Sequence, residues 1–501
     1  MSELERSEAS EVSQAQRAGG SAGVGGAETR DSTFTTVSRD DEDGEAAARG
    51  AVAPVLILLL ECDRPLASSS RHSLAELDQV TLGRADTRRF ERRPDGRLLA
   101  IGVPDVRMSQ SHARLVRAGN RWSVEDTGSK NGVILKGARH ERVTLEDGDI
   151  FELGHTFFLF RDGTSPGPVS LPLDADASAL APPAPGLLTF VPGLLRAFGE
   201  LSQVARTRVP ILIQGETGTG KELLARAVHG MAGRDGTFVA VNCGALPETL
   251  VESELFGYKK GAFSGAAQDR LGLVRSADRG TLFLDEIGDL SQPSQAVLLR
   301  VLQEREVTPL GASAPVPVDI QIVAATHHDL HEMIGRDRFR RDLYARIAGF
   351  TIRLPGLRRR REDLGLLIAA LLARSVPADS AGEVRLHVDA LRALLVHDWP
   401  LNVRELEACL GIAAALAGHG LIRHEHLPES VRGGGPDEEP TSEPPPLPLS
   451  EEDARRRDEI IALLREHRGN ISAVARASGK ARVQIHRWLK RYRLDPESFR
   501  R

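Results

Sequence analysis

Two short stretches of this chain carry the residue types that phosphoryl chemistry needs. Gly215-Glu-Thr-Gly-Thr-Gly-Lys221 follows a short apolar run and precedes a helical pattern from Glu222 to Met231. Glycines let successive backbone N–H groups turn toward phosphate oxygens, a helix start adds positive potential, and the lysine balances the β and γ charges. Gly215, Glu216, Thr217, Gly218, Thr219, Gly220, Lys221 and Glu222 are thus candidate ligands of a nucleoside triphosphate. Leu282-Phe-Leu-Asp-Glu286 ends an apolar strand in two acids. That order sets Asp285 beside a Mg²⁺ ion and Glu286 beside the attacking water. Glu222 stands where Ser or Thr usually reaches the metal, so the ion must lean on Asp285 and water. Two solvated acids at a strand end are the plainer reading, but the phosphate loop upstream argues against it.

Positioning these groups takes a parallel sheet. Ile211–Ile213, Phe238–Val241, Leu282–Leu284, Ile320–Ala325 and Phe350–Leu354 are apolar runs separated by helical patterns. Five parallel strands covered on both faces are therefore expected over 187–376, with a helical lid over 377–431. Residues 54–162 hold shorter runs, at Val55–Leu60, Val80–Leu82, Leu98–Ile101, Ala113–Val116, Trp122–Val124, Val133–Leu135 and Ile150–Leu153. Turn dipeptides such as Asn131-Gly132 and Asp147-Gly148 punctuate them, the pattern of an all-β sandwich. Residues 452–501 read as all-helical. Residues 1–53 read as a disordered tail, and 163–186 and 432–451 as linkers rich in proline or glycine. The fold class expected is multidomain: all-β sandwich, α/β P-loop domain with helical lid, and all-α helix-turn-helix.

A length of 501 residues exceeds one ordinary core, and 41% hydrophobic with 27% charged residues is a globular composition. The net charge of -5 excludes an overall basic nucleic-acid binder, so charge location matters more. Cys62, Cys243 and Cys409 lack paired spacing, which argues against a disulfide framework or zinc and for a reducing cytosol. The start lacks a signal-peptide pattern, and Val55–Leu60 is far below the ~20 apolar residues that span a bilayer. A cytoplasmic protein without a membrane partner is expected.

Between the two phosphoryl motifs lies Leu255-Phe-Gly-Tyr-Lys-Lys-Gly-Ala-Phe-Ser-Gly-Ala266. Two glycines bracket an aromatic and a hydroxyl, a tip that self-packing explains poorly. Gly261-Ala-Phe-Ser-Gly-Ala266 resembles the GAFTGA loop of bacterial enhancer-binding AAA+ ATPases, and the order of motifs around it is similar. The resemblance implies that Gly261, Ala262, Phe263, Ser264, Gly265 and Ala266 contact sigma-54. It also implies that ATP hydrolysis in a homo-oligomer, dimer to hexamer, remodels the closed complex of the sigma-54 RNA polymerase holoenzyme. Phe339-Arg-Arg-Asp-Leu-Tyr-Ala-Arg346 resembles the family segment FREDLYYR, whose two arginines, here Arg340 and Arg346, reach a neighbouring subunit's γ-phosphate. By the same resemblance Asn242 restrains the catalytic Glu286, Thr326 is a sensor at a strand tip, and Arg404 of the lid reads nucleotide state. Ser264 stands where the family has Thr, Leu401 where it has Gly, and His327-His328 where it has Asn-Arg. Metal binding by the two histidines is not expected, because neighbours on a strand point to opposite faces.

The ends of the chain carry two more constellations. Arg468 to Leu494 is free of acids and rich in bases, with Gly469-Asn470 and Gly479 as helix punctuation. It resembles a Fis-type helix-turn-helix, which implies an enhancer DNA partner. Lys480, Arg482, Gln484, Arg487, Lys490 and Arg491, around a recognition helix at Ala481–Tyr492, are the candidate contacts. Leu82-Gly-Arg84, Ser109-Gln-Ser-His-Ala113 and Ser129-Lys-Asn-Gly132 together resemble a forkhead-associated (FHA) domain. That implies phosphothreonine binding by Arg84, Ser109, Ser129 and Lys130, with Asn131 on the peptide backbone and His112 as scaffold. The ligand would be a phosphothreonine protein, or the chain's own tail if a Ser/Thr kinase modifies Thr33, Thr35 or Thr36. A plain solubilising tail accounts for the same composition. Two rival readings are a scaffold with a dead ATPase, opposed by intact Lys221, Asp285 and Glu286, and a remodeller of another target, opposed by residues 261–266.

Overall fold

The protein is described from a computed structural model over residues 53–164, 171–247, 250–377, 379–380, 382–433, 451–467 and 471–478. Expectations for the tail, for 434–450 and for the recognition helix with its six DNA-contact candidates lie outside the described residues. The described residues form two compact units: one extends to Leu395 and takes in Trp399–Pro428, the other holds Val396–Asp398 and the described residues from Glu429 onward.

The first unit opens with thirteen strands: β1 (Ala53–Glu61), β2 (Ser70–Ser73), β3 (Gln79–Arg84), β4 (Arg89–Arg92), β5 (Leu98–Val103), β6 (Ala113–Ala118), β7 (Arg121–Asp126), β8 (Val133–Leu135), β9 (Ala138–His140), β10 (Arg142–Thr144), β11 (Ile150–Leu153), β12 (Thr156–Thr164) and β13 (Asp174–Asp176). They make two sheets, ordered β13-β2-β1-β12-β11-β8-β9 and β10-β7-β6-β3-β5-β4. Leu56, Leu58, Phe158 and Phe160 of the paired long strands meet Trp122 and Phe151 in the sandwich core. The expected linker 163–186 is corrected at both ends of its first half. Thr164 still belongs to β12, and β13 extends the sheet beyond β2. Polar bonds hold β13, with Arg92 on Asp174 at 2.9 Å and Ser68 donating to Asp176 at 2.6 Å, so hydropathy gave no sign of it.

The α/β block follows as α1 (Pro192–Val204), β14 (Ile211–Gly215), α2 (Lys221–Ala232), β15 (Phe238–Asn242), α3 (Val251–Phe256), α4 (Leu273–Ser276), β16 (Thr281–Asp285), α5 (Gln292–Glu304), the hairpin β17 (Glu306–Val307) and β18 (Val316–Pro317), β19 (Gln321–Thr326), α6 (Leu330–Gly335), α7 (Arg341–Ile347) and β20 (Phe350–Leu354). Its sheet is ordered β15-β16-β19-β14-β20 and wholly parallel. Alternate strand residues enter two cores. Leu212, Leu282, Leu284 and Ala324 face one, and Ile211, Ile213, Phe283 and Val323 face the other. The central strands β16, β19 and β14 are buried on both faces and so read as continuous apolar runs.

Helices α8 (Leu364–Ser375), α9 (Val388–Val396), α10 (Asn402–Leu416) and α11 (Glu429–Arg432) come next, with β21 (Arg385–Leu386) pairing β22 (Leu421–Ile422). The lid starts earlier than the expected 377, because α8 packs on α10 and no strand of the sheet follows it. Helix α8 also lies across β1. There Ile57, Leu59, Phe157 and Leu159, on the outer face of the sandwich, are as buried as its core. A Cβ on Gly365 would stand 1.9 Å from the Leu59 carbonyl oxygen, so only glycine permits the approach. Arg392 forks onto buried Glu152 at 2.6 and 2.9 Å, and the Leu386 amide donates to the Cys62 carbonyl at 2.8 Å. In the second unit, α12 (Glu451–Glu466) packs on α13 (Ile471–Ala477) through buried Ile460, Leu464 and Val474. Among the described residues no helix is long and apolar enough to cross a membrane.

Candidate functional site

The phosphate loop leaves the carboxyl end of β14, where open α/β sheets gather their ligands. Gly218 and Gly220 take left-handed backbone, φ 79 and 101, and Gly220 caps α2. A Cβ on Gly218 would meet the Leu401 carbonyl oxygen at 2.1 Å. Lys221 is buried. Its Nζ donates to the Gly215 carbonyl at 3.1 Å and pairs with Glu286 Oε1 at 3.1 Å. Asp285 accepts the Glu286 amide at 3.1 Å, and burial, then the Glu286 charge, push its carboxyl above the ordinary value. Glu286 has φ 51 and turns to the tip of β19, where Oε2 accepts from His327 Nδ1 at 2.7 Å and from the His327 amide at 3.1 Å. Burial opposes its ionisation, but the His327 hydrogen bond and then the Lys221 charge outweigh it and hold the carboxyl below its usual range.

Two expectations change here. Among the described residues no hydrogen bond joins Asn242 to Glu286: its Oδ1 accepts the amides of Gly244 and Ala245 at 3.0 and 3.2 Å. Asn242 caps the short turn that follows β15, where a side-chain oxygen takes the amides two and three residues on. Thr326 is buried, with Oγ1 accepting the His328 amide at 3.0 Å. The two histidines do share a side, with ring centroids 3.9 Å apart, because they lie in the turn past β19 where strand alternation no longer holds. Each faces a different carboxylate, His328 reaching Asp289 at 2.8 Å. Arg340 forks onto Asp342 at 3.0 and 2.6 Å, while Arg346 is exposed at the far end of α7. Among the described residues, neither arginine bonds to the phosphate loop of its own chain. Glu222 is exposed and ion-paired with Arg226 at 2.7 Å.

A brace between this loop and the lid escaped the sequence reading. Asn402 is fully buried at φ 58. It accepts the Leu357 amide at 2.7 Å and donates to the Thr217 carbonyl at 3.0 Å and to Glu216 at 3.2 Å. Arg358 forks onto Glu216 at 3.0 and 2.6 Å, and buried Arg360 donates to the Thr219 carbonyl at 3.1 Å. The Arg404 amide reaches the Gly218 carbonyl at 3.3 Å, its side chain exposed beside the loop. Asp363, which ends this hinge, accepts from Thr189 Oγ1 and the Phe190 amide, both at 2.8 Å.

The 261–266 loop is built differently. Gly261 and Gly265 have φ 84 and 115, and the Gly261 amide closes the turn on the Ala266 carbonyl at 2.9 Å. Phe263 is 44% exposed, one edge against Tyr258 at 4.9 Å between centroids. Its base is zipped by Tyr258 to Arg270 and Leu310, and Lys259 pairs with Asp269 at 2.7 Å.

On the sandwich, buried His112 joins the three turns. Its Nδ1 accepts the Ser109 amide at 3.1 Å, and its Nε2 meets the Gly132 carbonyl at 3.0 Å. The Arg84 amide donates to the Ser109 carbonyl at 2.9 Å, and Ser109 Oγ accepts the Lys130 amide at 3.2 Å. Arg84, Lys130 and Asn131 are exposed, Asn131 donating to the Arg107 carbonyl at 2.7 Å. Ser129 departs from the expectation. It is buried, and its Oγ accepts the Gly132 amide at 2.8 Å, so it builds the turn rather than facing a ligand.

This geometry has known counterparts. The sigma-54 interaction domain family matches residues 189–353, the AAA+ ATPase lid domain 358–444 and the FHA domain 80–154. The chain is thus an AAA+ ATPase preceded by an all-β FHA domain. The transcriptional regulatory protein GlrR of Escherichia coli strain K12 is 39% identical over 318 residues, which are 63% of this chain and 69% of that protein. The Nif-specific regulatory protein of Azospirillum lipoferum is 47% identical over 249 residues, 50% of this chain and 40% of that protein. The structure of NtrX from Brucella abortus in complex with ATP shares 29% identity over 63% of this chain and 71% of that one, with a TM-score of 0.45. The chain belongs to the sigma-54-dependent transcriptional regulators.

Proposed function

We propose that this chain reads a phosphothreonine through its sandwich, binds enhancer DNA through residues 480–491, and uses ATP hydrolysis in a ring of subunits to drive the 261–266 loop against sigma-54 in the closed polymerase complex. The observation that carries the reading is Phe263, nearly half exposed on a glycine-hinged turn of the domain that holds Lys221 and Glu286. Exposed Arg340 and Arg346 suit contact with a neighbour's γ-phosphate, which makes turnover depend on assembly. Mg²⁺ fits Asp285: the carboxylate is half-buried, is pushed upward by burial and the Glu286 charge more than the Lys221 charge lowers it and, among the described residues, takes one amide bond only. When bound, the ion neutralises charge on the phosphate oxygens. Lys221 draws the β and γ phosphates, and Glu286 is the base for water. Exposed Arg84 and Lys130 with Ser109 supply the donors a phosphothreonine takes, whether on a partner protein or on the tail after a Ser/Thr kinase has acted.

The test is Ser264→Ala in the full chain, with ATP turnover and sigma-54 open-complex formation measured side by side. Turnover should persist while open complexes are lost. Equal loss of both refutes a dedicated output loop.

A further inference from the structure

We propose that Arg161 of the sandwich and Glu362 of the hinge are a positioning pair for the nucleotide: the sandwich sets the hinge from one side, the hinge sets the phosphate loop from the other, and nucleotide affinity depends on the pair. The inference rests on the phosphate loop holding the nucleotide. Between Gly356 and Leu364 the chain winds into two single 3-10 turns, Leu357–Arg359 and Arg361–Asp363, joined by Arg360. Arg358 forks onto Glu216 of the phosphate loop at 3.0 and 2.6 Å, and Arg360 donates to the Thr219 carbonyl at 3.1 Å. Glu362 meets Arg161 of β12 instead, at 3.3 Å. Asp363 is tied to Thr189 and the Phe190 amide, both at 2.8 Å. Close-packed, ion-paired segments of this kind have little slack, so a shift at one anchor reaches the next.

The contact is built like an interior one. The side chains of Glu362 and Arg161 are 5% and 28% exposed, and buried Arg71 of β2 adds a second positive charge. Among the described residues Glu362 Oε2 makes no hydrogen bond, so charge rather than a net of donors holds the carboxylate. Burial keeps that carboxyl above its ordinary value, and the Arg161 charge is the first to oppose it. Asp147 shares Arg161 at 3.1 Å. Beside the pair, the start of α8 is seated on the sandwich: a Cβ on Gly365 would stand 2.6 Å from Ser69 Oγ, whose hydroxyl donates to the Leu59 carbonyl at 2.7 Å. Taking away one charge of a buried pair leaves the other uncompensated, and the hinge can relieve that only by moving.

The test compares full chains carrying Arg161→Met, Arg161→Lys, Glu362→Gln, Arg392→Met and Lys221→Ala, by affinity for a fluorescent ADP, by kcat and KM for ATP and by Tm. Arg161→Met and Glu362→Gln each remove one charge at nearly constant volume. Both should raise the ADP Kd and the KM about tenfold, the lower range of couplings between sites, and leave kcat within about twofold. Arg161→Lys keeps the charge and should regain most of the affinity. Arg392→Met breaks the sandwich's other grip, on Glu152, away from the hinge. It should lower Tm and hold the Kd within about twofold of the parent. A parental Kd in Arg161→Met or Glu362→Gln, whatever the Tm, overturns the inference. Failure of Arg161→Lys to recover affinity overturns it too, as does an equal loss in Arg392→Met, which would assign the effect to docking at large. ADP binding that survives Lys221→Ala removes the nucleotide reading of the loop, and the inference with it.

Discussion

The phosphate loop and the 261–266 loop are both glycine-built turns on one domain, yet they are held in opposite ways. The first is gripped from outside by Asn402, Arg358 and Arg360, side chains of the lid hinge and the start of α10. The second is closed by its own backbone, with a single ring contact, and its tip faces solvent. Charge-stabilising sites work best when their donors are fixed before substrate arrives. The proposed output role needs movement, and a segment with few buried contacts opens at low cost. One fold thus concentrates side-chain hydrogen bonds on the phosphate loop and leaves the 261–266 tip to its own backbone.

Removing the largest brace should break this contrast most. Asn402→Ala strands the buried Leu357 amide and the Thr217 carbonyl and puts alanine at φ 58. One buried orphan at ~1–3 kcal/mol, with left-handed strain of ~1–2 kcal/mol, gives a loss of about 3 kcal/mol in urea unfolding. The hinge should also show in the pH dependence. Burial pushes the Asp363 carboxyl from 3.8 up to about 6. The folded state then holds the proton more tightly than the unfolded chain. Stability contributed by this group is therefore full below the unfolded value of 3.8 and declines as pH rises to about 6. The decline is about 3 kcal/mol, and Asp363→Asn should flatten the urea midpoints across that window. At the loose end, Phe263→Ala should cost less than about 1 kcal/mol, the worth of one edge contact to Tyr258. A larger loss would mean that the tip is a packed element.

The parts that repeat a local pattern were legible in the sequence. The five parallel strands, the phosphate loop and the acidic end of β16 each announce themselves within a dozen residues. Asn402 could not, since its partners lie 45 and 186 positions away and only the fold brings them together. The two histidines were misjudged for a related reason: whether neighbours diverge depends on where the strand stops, and β19 ends at Thr326. Ser129 and Asn242 carry motif-matching side chains whose oxygens are taken by amides two or three residues on. Phe157-Phe-Leu-Phe160 is a plain apolar run that was not read as a strand, yet β12 is the long partner of β1.

The unbroken run from Val55 to Leu60 has a last consequence. A strand wetted on neither side belongs to two interiors at once, so the FHA module is a keystone rather than a bead on a string. Excised, it would bare an oily flank, and its departure would uncover the side of α8 that lies on β1. The helix that follows the hinge, α8, thus rests directly on the module's β1.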